Sequence, residues 1–475
     1  MNFKLKIPKH IILTGAIMTS MICSSCMKKK PLNILILHTD QLRAQALGYN
    51  GDPNVTTTNL DHFSRTSANL MNAVSGMPVC TPHRASLMTG QLPLTHGLFM
   101  NDIQLDTNAI TIAKVLAMEG YRTGYIGKWH LDGNGRSSFI PSGARRQGFQ
   151  YWKALECSHD YNRSAYYSGD SPEKKFWEGY DPIAQTRDAQ EYLREHAEGD
   201  NPFFLFLSWA TPHAPYLSAP KKYMDMYSSD SLVLRQNVPA KMERKVRRDL
   251  VGYYAHITAM DDMVGDILKT LDETGTRDNT IILFTSDHGD LLGSHGAYKK
   301  QQPYEESIRI PMLISHPSIA PGDYQALINS HDIMPTLLGL AGVKSPSSVE
   351  GYDFSEYLMD NLPLPDTTTL ISCVQPFGQW NRFKHGGKEY RGIVSLRYTY
   401  TRDLNGPWLL FDNLTDPYQQ NNLVGHPYFA SIQEQMNGLL TEKLKATGDQ
   451  FLPGMEYVDK WGYTVDDTET IPYSP

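Results

Sequence analysis

Cysteine is scarce in this sequence, with five among 475 residues. Two of them, Cys23 and Cys26, lie in the N-terminal segment, which leaves Cys80, Cys157 and Cys373 for the rest of the chain. Three thiols cannot all pair, so the chain is not a disulfide-stabilised scaffold. At least one cysteine needs another explanation, while the sequence leaves open whether Cys157 and Cys373 form a bridge or are simply buried.

A surplus of positive charge is also missing. The 44 Lys and Arg residues are outnumbered by 51 Asp and Glu residues, for a net charge of −7. Because a phosphate backbone selects for basic surfaces, we expect no nucleic-acid partner. An anionic substrate stays open, since a few cations can form a local pocket in an acidic protein. The chain is long enough to bury a large hydrophobic core.

Apolar runs long enough to span a bilayer are absent too. The run IILTGAIMTSMI is short and follows the positively charged start MNFKLKIPKH, as in an export signal. Small residues precede Cys26, which resembles a bacterial lipoprotein signal. We therefore expect residues 1–25 to be a signal peptide and Cys26 to be lipidated, which predicts a membrane-anchored periplasmic or cell-surface protein. The alternative is an ordinary signal peptide; Cys23 is the weaker acceptor because bulky Met21 and Ile22 precede it.

Four short runs after the signal are apolar on both faces, which is typical of buried strands in a largely parallel sheet: Leu32–Asp40, Tyr121–His130, Pro202–Tyr216 and Thr280–Asp290. Segments with helical spacing lie between them. This alternation predicts an α/β fold over residues 32–360, with a large, mostly parallel sheet flanked by helices. Beyond it, the strand-like alternation of residues 392–403 and an amphipathic helical segment predict a smaller C-terminal α+β subdomain over 361–475.

Each of these four runs places ionisable or metal-binding side chains where the strand ends. They are Asp40, Lys128, His130, His213, Asp287 and His288. The carboxyl ends of parallel strands meet at one edge of a sheet, so we expect these groups to form a single site. Lys128 and His130 alternate along one strand and share a face. The carboxylates of Asp40 and Asp287 are ligands that a divalent cation such as calcium prefers.

The segment Cys80-Thr81-Pro82-His83-Arg84 predicts the start of a helix, because proline suits the first turn and Gly90 follows as a stop. Cys80 would then lie at a helix N-terminus, where free N–H groups favour an anion. Arg84 lies one turn further and can point back to the same place. The plainer interpretation is a buried cysteine at a helix start.

This segment, continued by ASLMTG, resembles the signature of the formylglycine-dependent sulfatases, a family of the alkaline phosphatase superfamily. The resemblance extends in order through LILHTDQ, GYIGKWHL, TPHAPY, SDHGDLLGSHGAYKKQQPYEESIRIP, HDIMPTLLGLAG and FDNLTDPYQQNNL. It implies an alkaline phosphatase-like fold and a maturation enzyme that converts Cys80 to formylglycine (3-oxoalanine). Two positions depart from the family pattern: His83, where a small residue is common, and Gln91, where arginine is common.

The resemblance also implies a set of metal ligands, namely Asp40, Gln41, the modified Cys80, Asp287 and His288. Calcium is the expected ion, with Mn²⁺ or Mg²⁺ as alternatives. Many members have asparagine where His288 stands, and its oxygen suits calcium, whereas the imidazole of His288 would also accept a transition ion such as Mn²⁺. Gln41 is the weaker ligand, since many members carry a second aspartate there.

The implied reaction is the hydrolysis of sulfate esters. The catalytic set would be Cys80, Arg84, Lys128, His130, His213 and Lys300. In this mechanism the formylglycine hydrate attacks sulfur, and Lys128, His213 and Lys300 hold the sulfate. His213 protonates the leaving alcohol, and His130, or less readily Asp290, assists release of sulfate. Lys299 is expected to be a surface residue.

The expected substrate is a sulfated saccharide of a sulfated glycan. An insert after residue 131 carries Arg145, Arg146 and Trp152, which suit acidic groups and sugar rings; the alternative is a structural surface loop. Two other functions stay open. One is a phosphonate monoester or phosphodiester hydrolase of the same superfamily, and the other is a non-catalytic glycan-binding lipoprotein.

Overall fold

A computed structural model of the chain describes residues 1–2, 30–360 and 362–473. From Pro31 onward the chain folds as one compact unit that contains two sheets. Most of the predicted signal peptide, with Cys26, lies outside the described residues. Among the described helices, none combines the length and the apolar character needed to cross a membrane.

The larger sheet has ten strands, which are β1 (Asn33–Asp40), β2 (Ala68–Leu70), β3 (Arg122–Lys128), β4 (Tyr151–Leu155), β5 (Ala165–Ser168), β6 (Lys175–Phe176), β7 (Phe203–Pro212), β8 (Thr280–Ser286), β9 (Met312–Ser315) and β10 (Gly322–Tyr324). Their spatial order is β10-β2-β9-β8-β1-β7-β3-β4-β5-β6. The central strands β8-β1-β7-β3-β4 are parallel, as predicted. Of the five outer pairings, that of β10 with β2 is parallel and the other four are antiparallel, so the sheet is mixed around a parallel centre.

Thirteen α-helices occur in the described residues. They are α1 (Thr58–Arg65), α2 (Cys80–Thr89), α3 (Pro93–His96), α4 (Ile112–Met118), α5 (Asp181–His196), α6 (Lys221–Met224), α7 (Glu243–Glu273), α8 (Glu305–Ile308), α9 (Ile333–Leu340), α10 (Ser355–Asp360), α11 (Gly378–Asn381), α12 (Ala430–Thr447) and α13 (Gly454–Lys460). Helix α2 begins at Cys80 and ends where Gly90 takes a left-handed φ of 67°, as the sequence predicts.

Helices cover both faces of the larger sheet, and the central strands are buried on both sides. In β1, Ile34 and Ile36 belong to one hydrophobic core with residues of α2, α4 and α9. Leu35 and Leu37 point the other way, into a core with residues of α1, α5 and α7. This alternation explains why the predicted strands read as continuous apolar runs. The predicted α/β class is confirmed.

The smaller sheet is antiparallel and lies wholly beyond residue 360. Its strands are β11 (Thr368–Cys373), β12 (Tyr390–Ser395), β13 (Tyr398–Asp403) and β14 (Gly406–Asp412), in sequential order. Helix α12 packs on it through Met436, Leu440 and Leu444. The segment 392–403, expected to be one strand, is the hairpin of β12 and β13, because the same alternation continues across the turn. Cys373 and Cys157 are both buried free thiols.

The two sheets are joined by a buried amide. Asn329 accepts hydrogen bonds from the backbone N–H groups of Gly76 (2.8 Å) and Ser330 (2.7 Å) through Oδ1. Its Nδ2 donates to Thr369 Oγ1 and to the Leu370 carbonyl of β11, each at 2.8 Å. The side chain of Asn329 makes all four hydrogen bonds, so it holds the start of the smaller sheet against the loop that leads to α2.

We expect Asn329→Ala to lower the free energy of unfolding by about 3 kcal/mol, because buried donors and acceptors lose their partner. Urea unfolding followed by circular dichroism measures this change. The control is Asn108→Ala, since Asn108 is exposed and bonds only within its own turn; it should change stability by less than about 0.5 kcal/mol. Equal losses in both variants would contradict this role.

Candidate active site

The chemical groups expected at the strand ends do converge in space. Asp40 ends β1, Lys128 ends β3, and Asp287 follows β8 directly. Because β8, β1, β7 and β3 are adjacent and parallel, their carboxyl ends lie at one edge of the sheet. Lys128 Nζ donates to Asp40 Oδ2 at 2.6 Å, which directly joins the ends of β1 and β3.

Cys80, the first residue of α2, lies at the centre of this cluster. Its Sγ is 3.4 Å from His288 Nε2 and 3.9 Å from Asp40 Oδ1. Lys300 Nζ approaches Sγ to 2.8 Å and Lys128 Nζ to 3.8 Å. The residue is buried in the protein but lines a cavity, so a small molecule can reach it.

The surrounding charges make the Cys80 thiol acidic. Burial and Asp40 raise the pKa of this thiol, but Lys128, Lys300 and the nearby His130 side chain outweigh them and lower the pKa to about 6. Cys373 is a contrast, since burial raises its pKa to about 12. The site therefore stabilises negative charge at residue 80, as expected of a nucleophile rather than of a packing residue.

Asp40, Cys80, Asp287 and His288 could hold a metal ion, because their ligand atoms all lie within 4.8 Å of one another. The Nδ1 atom of His288 contacts the Gly289 carbonyl at 2.9 Å, which turns Nε2 toward the cluster. Burial lowers the pKa of His288 to about 4, so the imidazole is neutral, the form that binds a cation. Burial and the nearby Asp40 raise the pKa of Asp287 to about 7, a repulsion that a bound cation would relieve.

Gln41 also fits a metal site. Its Nε2 donates to Asp290 Oδ2 at 2.5 Å, whereas its Oε1 is buried and has no hydrogen-bond partner. A buried amide oxygen without a partner is costly, and a divalent cation would satisfy it. Tyr216 also donates to Asp290 Oδ2, and the Leu292 and Lys299 N–H groups donate to its Oδ1. Asp290 therefore orients Gln41, and it is not in the cavity where sulfate release would need it.

Arg84 lies behind the cluster rather than on the cavity wall. Its NH2 donates to Asp40 Oδ2 at 3.1 Å and lies 3.4 Å from Asp287 Oδ2. Its NH1 donates to the Lys128 carbonyl and to Ser208 Oγ. Arg84 thus holds the two carboxylates together, so its role is in the metal site rather than in direct contact with the cavity.

The cavity above Cys80 has a volume of about 810 Å³. Among its lining residues are the predicted Lys128, His130, His213 and Lys300. Several other lining residues were not predicted from the sequence: Asn101, Arg136, His159, Gln301, Phe377, Asn381 and residues of the segment 466–473. The ring of His159 stacks on that of His213, with centroids 4.6 Å apart. Arg136 and His159 belong to the insert after residue 131. The cationic and aromatic composition of that insert was the only feature of the sequence that pointed to these two residues as substrate contacts.

Four expectations are wrong. Trp152 is only 2% exposed and stacks in the core on Tyr125, so it cannot contact a sugar. Arg146 is buried and donates to the Ile140 and Gly169 carbonyls. Arg145 is held by Asp132 in a two-pronged ion pair and does not line the cavity. Lys299, expected at the surface, lines the cavity beside Lys300.

His83, the unusual residue in the cysteine segment, does not face the cavity. Its Nδ1 lies 2.7 Å from Ser330 Oγ and 3.3 Å from Ser75 Oγ. Burial and the neighbouring Arg84 keep its pKa well below the ordinary value, so the ring is neutral. His83 thus ties α2 to the turn at Ser330 from behind.

A sheet with a parallel centre, a carboxylate and imidazole cluster at its edge, and an acidic thiol at a helix N-terminus together form a site suited to a hydrolase that acts on an anionic ester. The Sulfatase family model matches residues 32–343, and the model of the N-sulphoglucosamine sulphohydrolase C-terminal region matches residues 293–446. The chain therefore belongs to the sulfatase family, as the sequence resemblance predicts.

Individual relatives agree over most of the chain. An ulvan-active sulfatase of Formosa agariphila is 47% identical over 450 residues, which cover 93% of this chain and 86% of that protein. An endo-4-O-sulfatase of Bacteroides thetaiotaomicron is 30% identical over 460 residues, covering 82% and 87%. The crystal structure of the Bacteroides fragilis protein yidJ has a TM-score of 0.81 at 30% identity, covering 91% of this chain and 98% of that one.

The acidity of Cys80 can be tested on protein produced without a maturation enzyme and stripped of metal. We expect alkylation by iodoacetamide to rise with pH around a midpoint near 6, because the pKa of the thiol is lowered to about 6. Lys300→Met removes the cation at 2.8 Å and should move the midpoint upward. Mass spectrometry of the peptide 78–91 measures the reaction, and Cys373 serves as an unreactive internal control. An unchanged midpoint in Lys300→Met would contradict the electrostatic explanation.

Proposed function

We propose that this sulfatase hydrolyses O-sulfate esters on a saccharide of a sulfated glycan, with residue 80 in its formylglycine form and with one divalent cation. The proposal rests on the position of Cys80. Its Sγ lies between Lys300 and the cluster of Asp40 and His288, at the inner end of the cavity. The printed names of two relatives, an ulvan-active sulfatase and an endo-4-O-sulfatase, support a sulfated glycan as substrate.

The cations around residue 80 suit a sulfate group. The ammonium groups of Lys128 and Lys300 line the cavity near the helix N-terminus, together with the neutral imidazole of His213. Positive charge and N–H groups there bind the anionic oxygens and stabilise the charge that develops in the transition state. In its formylglycine form residue 80 would supply a hydrated aldehyde oxygen to attack sulfur, and a bound cation would acidify that hydrate and neutralise sulfate charge.

His213 is the group that protonates the leaving alcohol. Its Nδ1 lies 2.7 Å from the Ala214 carbonyl, so Nδ1 carries a proton and Nε2 is the atom that serves the substrate. Burial and the stacked His159 keep its pKa well below the ordinary value in the ligand-free cavity. A bound sulfate ester brings negative charge against the ring, which raises this pKa and favours the protonated form.

His130 is the base that assists release of sulfate. Its Nε2 lies 3.4 Å from Asp102 Oδ1, whereas its buried Nδ1 has no hydrogen-bond partner, and both His130 and Cys80 line the cavity. The backbone of His130 has a left-handed φ of 56° and is held by hydrogen bonds with Thr81 and Glu156. A non-glycine residue in this conformation is costly and persists where the surrounding structure requires it. The imidazole is thus fixed near residue 80. There it can accept the proton of the second hydroxyl of the formylglycine hydrate while the bond from carbon to the sulfate oxygen breaks, sulfate leaves and the aldehyde re-forms.

The N-terminal pattern extends the proposal to location. We propose export as a lipoprotein anchored through Cys26, facing the periplasm or the cell exterior, with a maturation enzyme acting on Cys80. Labelling of cells with a fatty-acid analogue and comparison of Cys26→Ala with Cys23→Ala tests this. Label lost in Cys26→Ala and retained in Cys23→Ala supports the anchor, and label retained in both contradicts it.

We expect Cys80→Ala to lower sulfate release from 4-nitrophenyl sulfate and from ulvan by on the order of 10³-fold or more, because it removes the nucleophile. Ion chromatography of free sulfate measures the loss. Cys373→Ala is the matched control, since it removes a buried thiol from the smaller sheet. Activity that survives Cys80→Ala would overturn the mechanism. Faster turnover of an aryl phosphonate or phosphodiester than of the sulfate would instead favour the alternative hydrolase.

We expect His288 to broaden metal choice. After removal of metal by a chelator, Ca²⁺ should restore activity and Mn²⁺ should also bind, because a neutral imidazole accommodates transition ions. In His288→Asn the ratio of the Mn²⁺ to the Ca²⁺ dissociation constant should rise by about tenfold, measured by isothermal titration calorimetry. His426→Asn, outside the cluster, is the control. The same ratio in wild type and His288→Asn would exclude His288 as a ligand.

A further inference from the structure

The outer wall of the cavity comes from the end of the chain. Residues 466–473 return to the catalytic edge of the sheet and line the same cavity as Cys80 and Lys300. Both family models end before this segment, at residues 343 and 446. The features common to the family therefore account for the inner, cationic end of the cavity but not for this wall.

The segment is held in a defined conformation. Asp466 accepts hydrogen bonds from Thr468 N (2.8 Å), Thr468 Oγ1 (2.7 Å) and Thr470 N (3.1 Å), which closes a compact turn. The Thr468 carbonyl accepts from Gly378 N–H at 3.1 Å, and Arg382 donates to the Asp467 carbonyl at 3.0 Å. These contacts attach the segment to the residues around α11, which also contribute to the cavity.

The ring of Tyr473 packs against the side chain of Arg136. The guanidinium carbon of Arg136 lies 3.5 Å from the centroid of its ring, in cation–π contact. Arg136 is itself fixed, since Nε and NH2 donate to the buried carboxylate of Asp102 at 2.8 and 2.7 Å. The side chain of Tyr473 nevertheless stays 43% exposed. Arg136 thus covers one face of the ring, while the side chain of Tyr473 is partly exposed and lines the cavity together with Arg136.

The two ends of the cavity differ in chemistry. The inner end presents Lys128, Lys300 and the helix N-terminus to an anion. The outer wall presents aromatic, hydroxyl and amide groups from Phe377, Asn381, Thr468, Thr470 and Tyr473. The two charged groups that line it are already paired, since Arg136 is bonded to Asp102 and Asp466 accepts hydrogen bonds within its own turn. A pyranose ring combines apolar C–H faces with hydroxyl groups, and it is recognised by stacking on aromatic rings together with neutral hydrogen bonds. The outer wall matches a sugar, and the inner end matches its sulfate.

We propose that residues 466–473 form the saccharide subsite of this enzyme and that Tyr473 is the platform on which the ring of the sulfated sugar stacks. The inference rests on the proposed sulfated-glycan activity and adds a specificity-determining residue to it. The sulfate points inward to Lys300 and residue 80, and the sugar ring lies against Tyr473. Arg136 and Asp102 are positioning residues for the platform.

The test compares saccharide binding with binding at the inner end alone. The mature enzyme is assayed on sulfated oligosaccharides released from ulvan, and inorganic sulfate is used as a competitive inhibitor because it reaches only the cationic end. In Tyr473→Ala we expect KM for the oligosaccharide to rise about tenfold, which is the typical effect of losing an aromatic stacking contact, with a smaller change in kcat. The inhibition constant of sulfate should change less than about twofold.

Two further variants separate stacking from bulk. Tyr473→Phe keeps the ring and should retain a KM near that of wild type, whereas Tyr473→Leu keeps much of the volume and should behave like Tyr473→Ala. Tyr428→Ala is the matched control, because Tyr428 is an exposed tyrosine that does not line the cavity. It should leave both constants unchanged.

The outcomes distinguish this inference from the proposed function. If wild-type enzyme releases no sulfate from any sulfated oligosaccharide, the proposed function fails. If wild type is active and Tyr473→Ala has an unchanged KM, the subsite is wrong. If KM and the sulfate inhibition constant rise together, or if Tyr473→Leu matches wild type, Tyr473 supports the site only through Arg136 or through its volume, and the stacking role is overturned.

Discussion

The site depends on one buried interaction, that of the Arg84 guanidinium with the carboxylates of Asp40 and Asp287. Two carboxylates this close in a dry environment repel each other, and Arg84 with Lys128 offsets that repulsion. These buried carboxylates are stable only while their cationic partners Arg84 and Lys128 are both in place, because an unpaired buried charge is costly. The candidate metal ligands, the lowered pKa of the Cys80 thiol and the direction of β1 and β8 at their ends are therefore one coupled arrangement rather than independent features.

The parallel centre of the sheet makes that arrangement possible. Strand β1 pairs in parallel with β7 on one side and β8 on the other. Its register with β7 shifts between His38 and Asp40, so that Asp40 lies opposite Pro212, and Thr39 lies opposite Ser286 of β8, so the three strands end at the same edge. Helix α2 then directs its N-terminus at this edge, and His83 anchors it from behind through Ser330. His83, which departs from the family pattern, thus contributes to the packing of α2 and does not line the cavity.

Features with a local signal were predictable, and features made by long-range packing were not. The strands around Asp40 and Asp287 are continuous apolar runs, and Cys80 has a specific motif. Trp152 was misassigned because the composition of an insert does not reveal that its strand pairs with Tyr125 in the core. The β12–β13 hairpin was missed because alternation with a period of two continues unchanged through a two-residue turn.

The return of residues 466–473 to the cavity had no signal in the sequence, because nothing local in that segment specifies its distant contacts. The expected subdomain boundary at residue 360 concealed it further, since the segment belongs by sequence to the region of the smaller sheet but lines the cavity with Cys80 and contacts Arg136. Such an arrangement separates two tasks. The proposed sulfate end depends on a fixed set of buried charges, whereas the proposed sugar end is built from residues 466–473, whose hydrogen bonds go to their own turn and to the residues around α11 rather than to the carboxylates that Arg84 holds together.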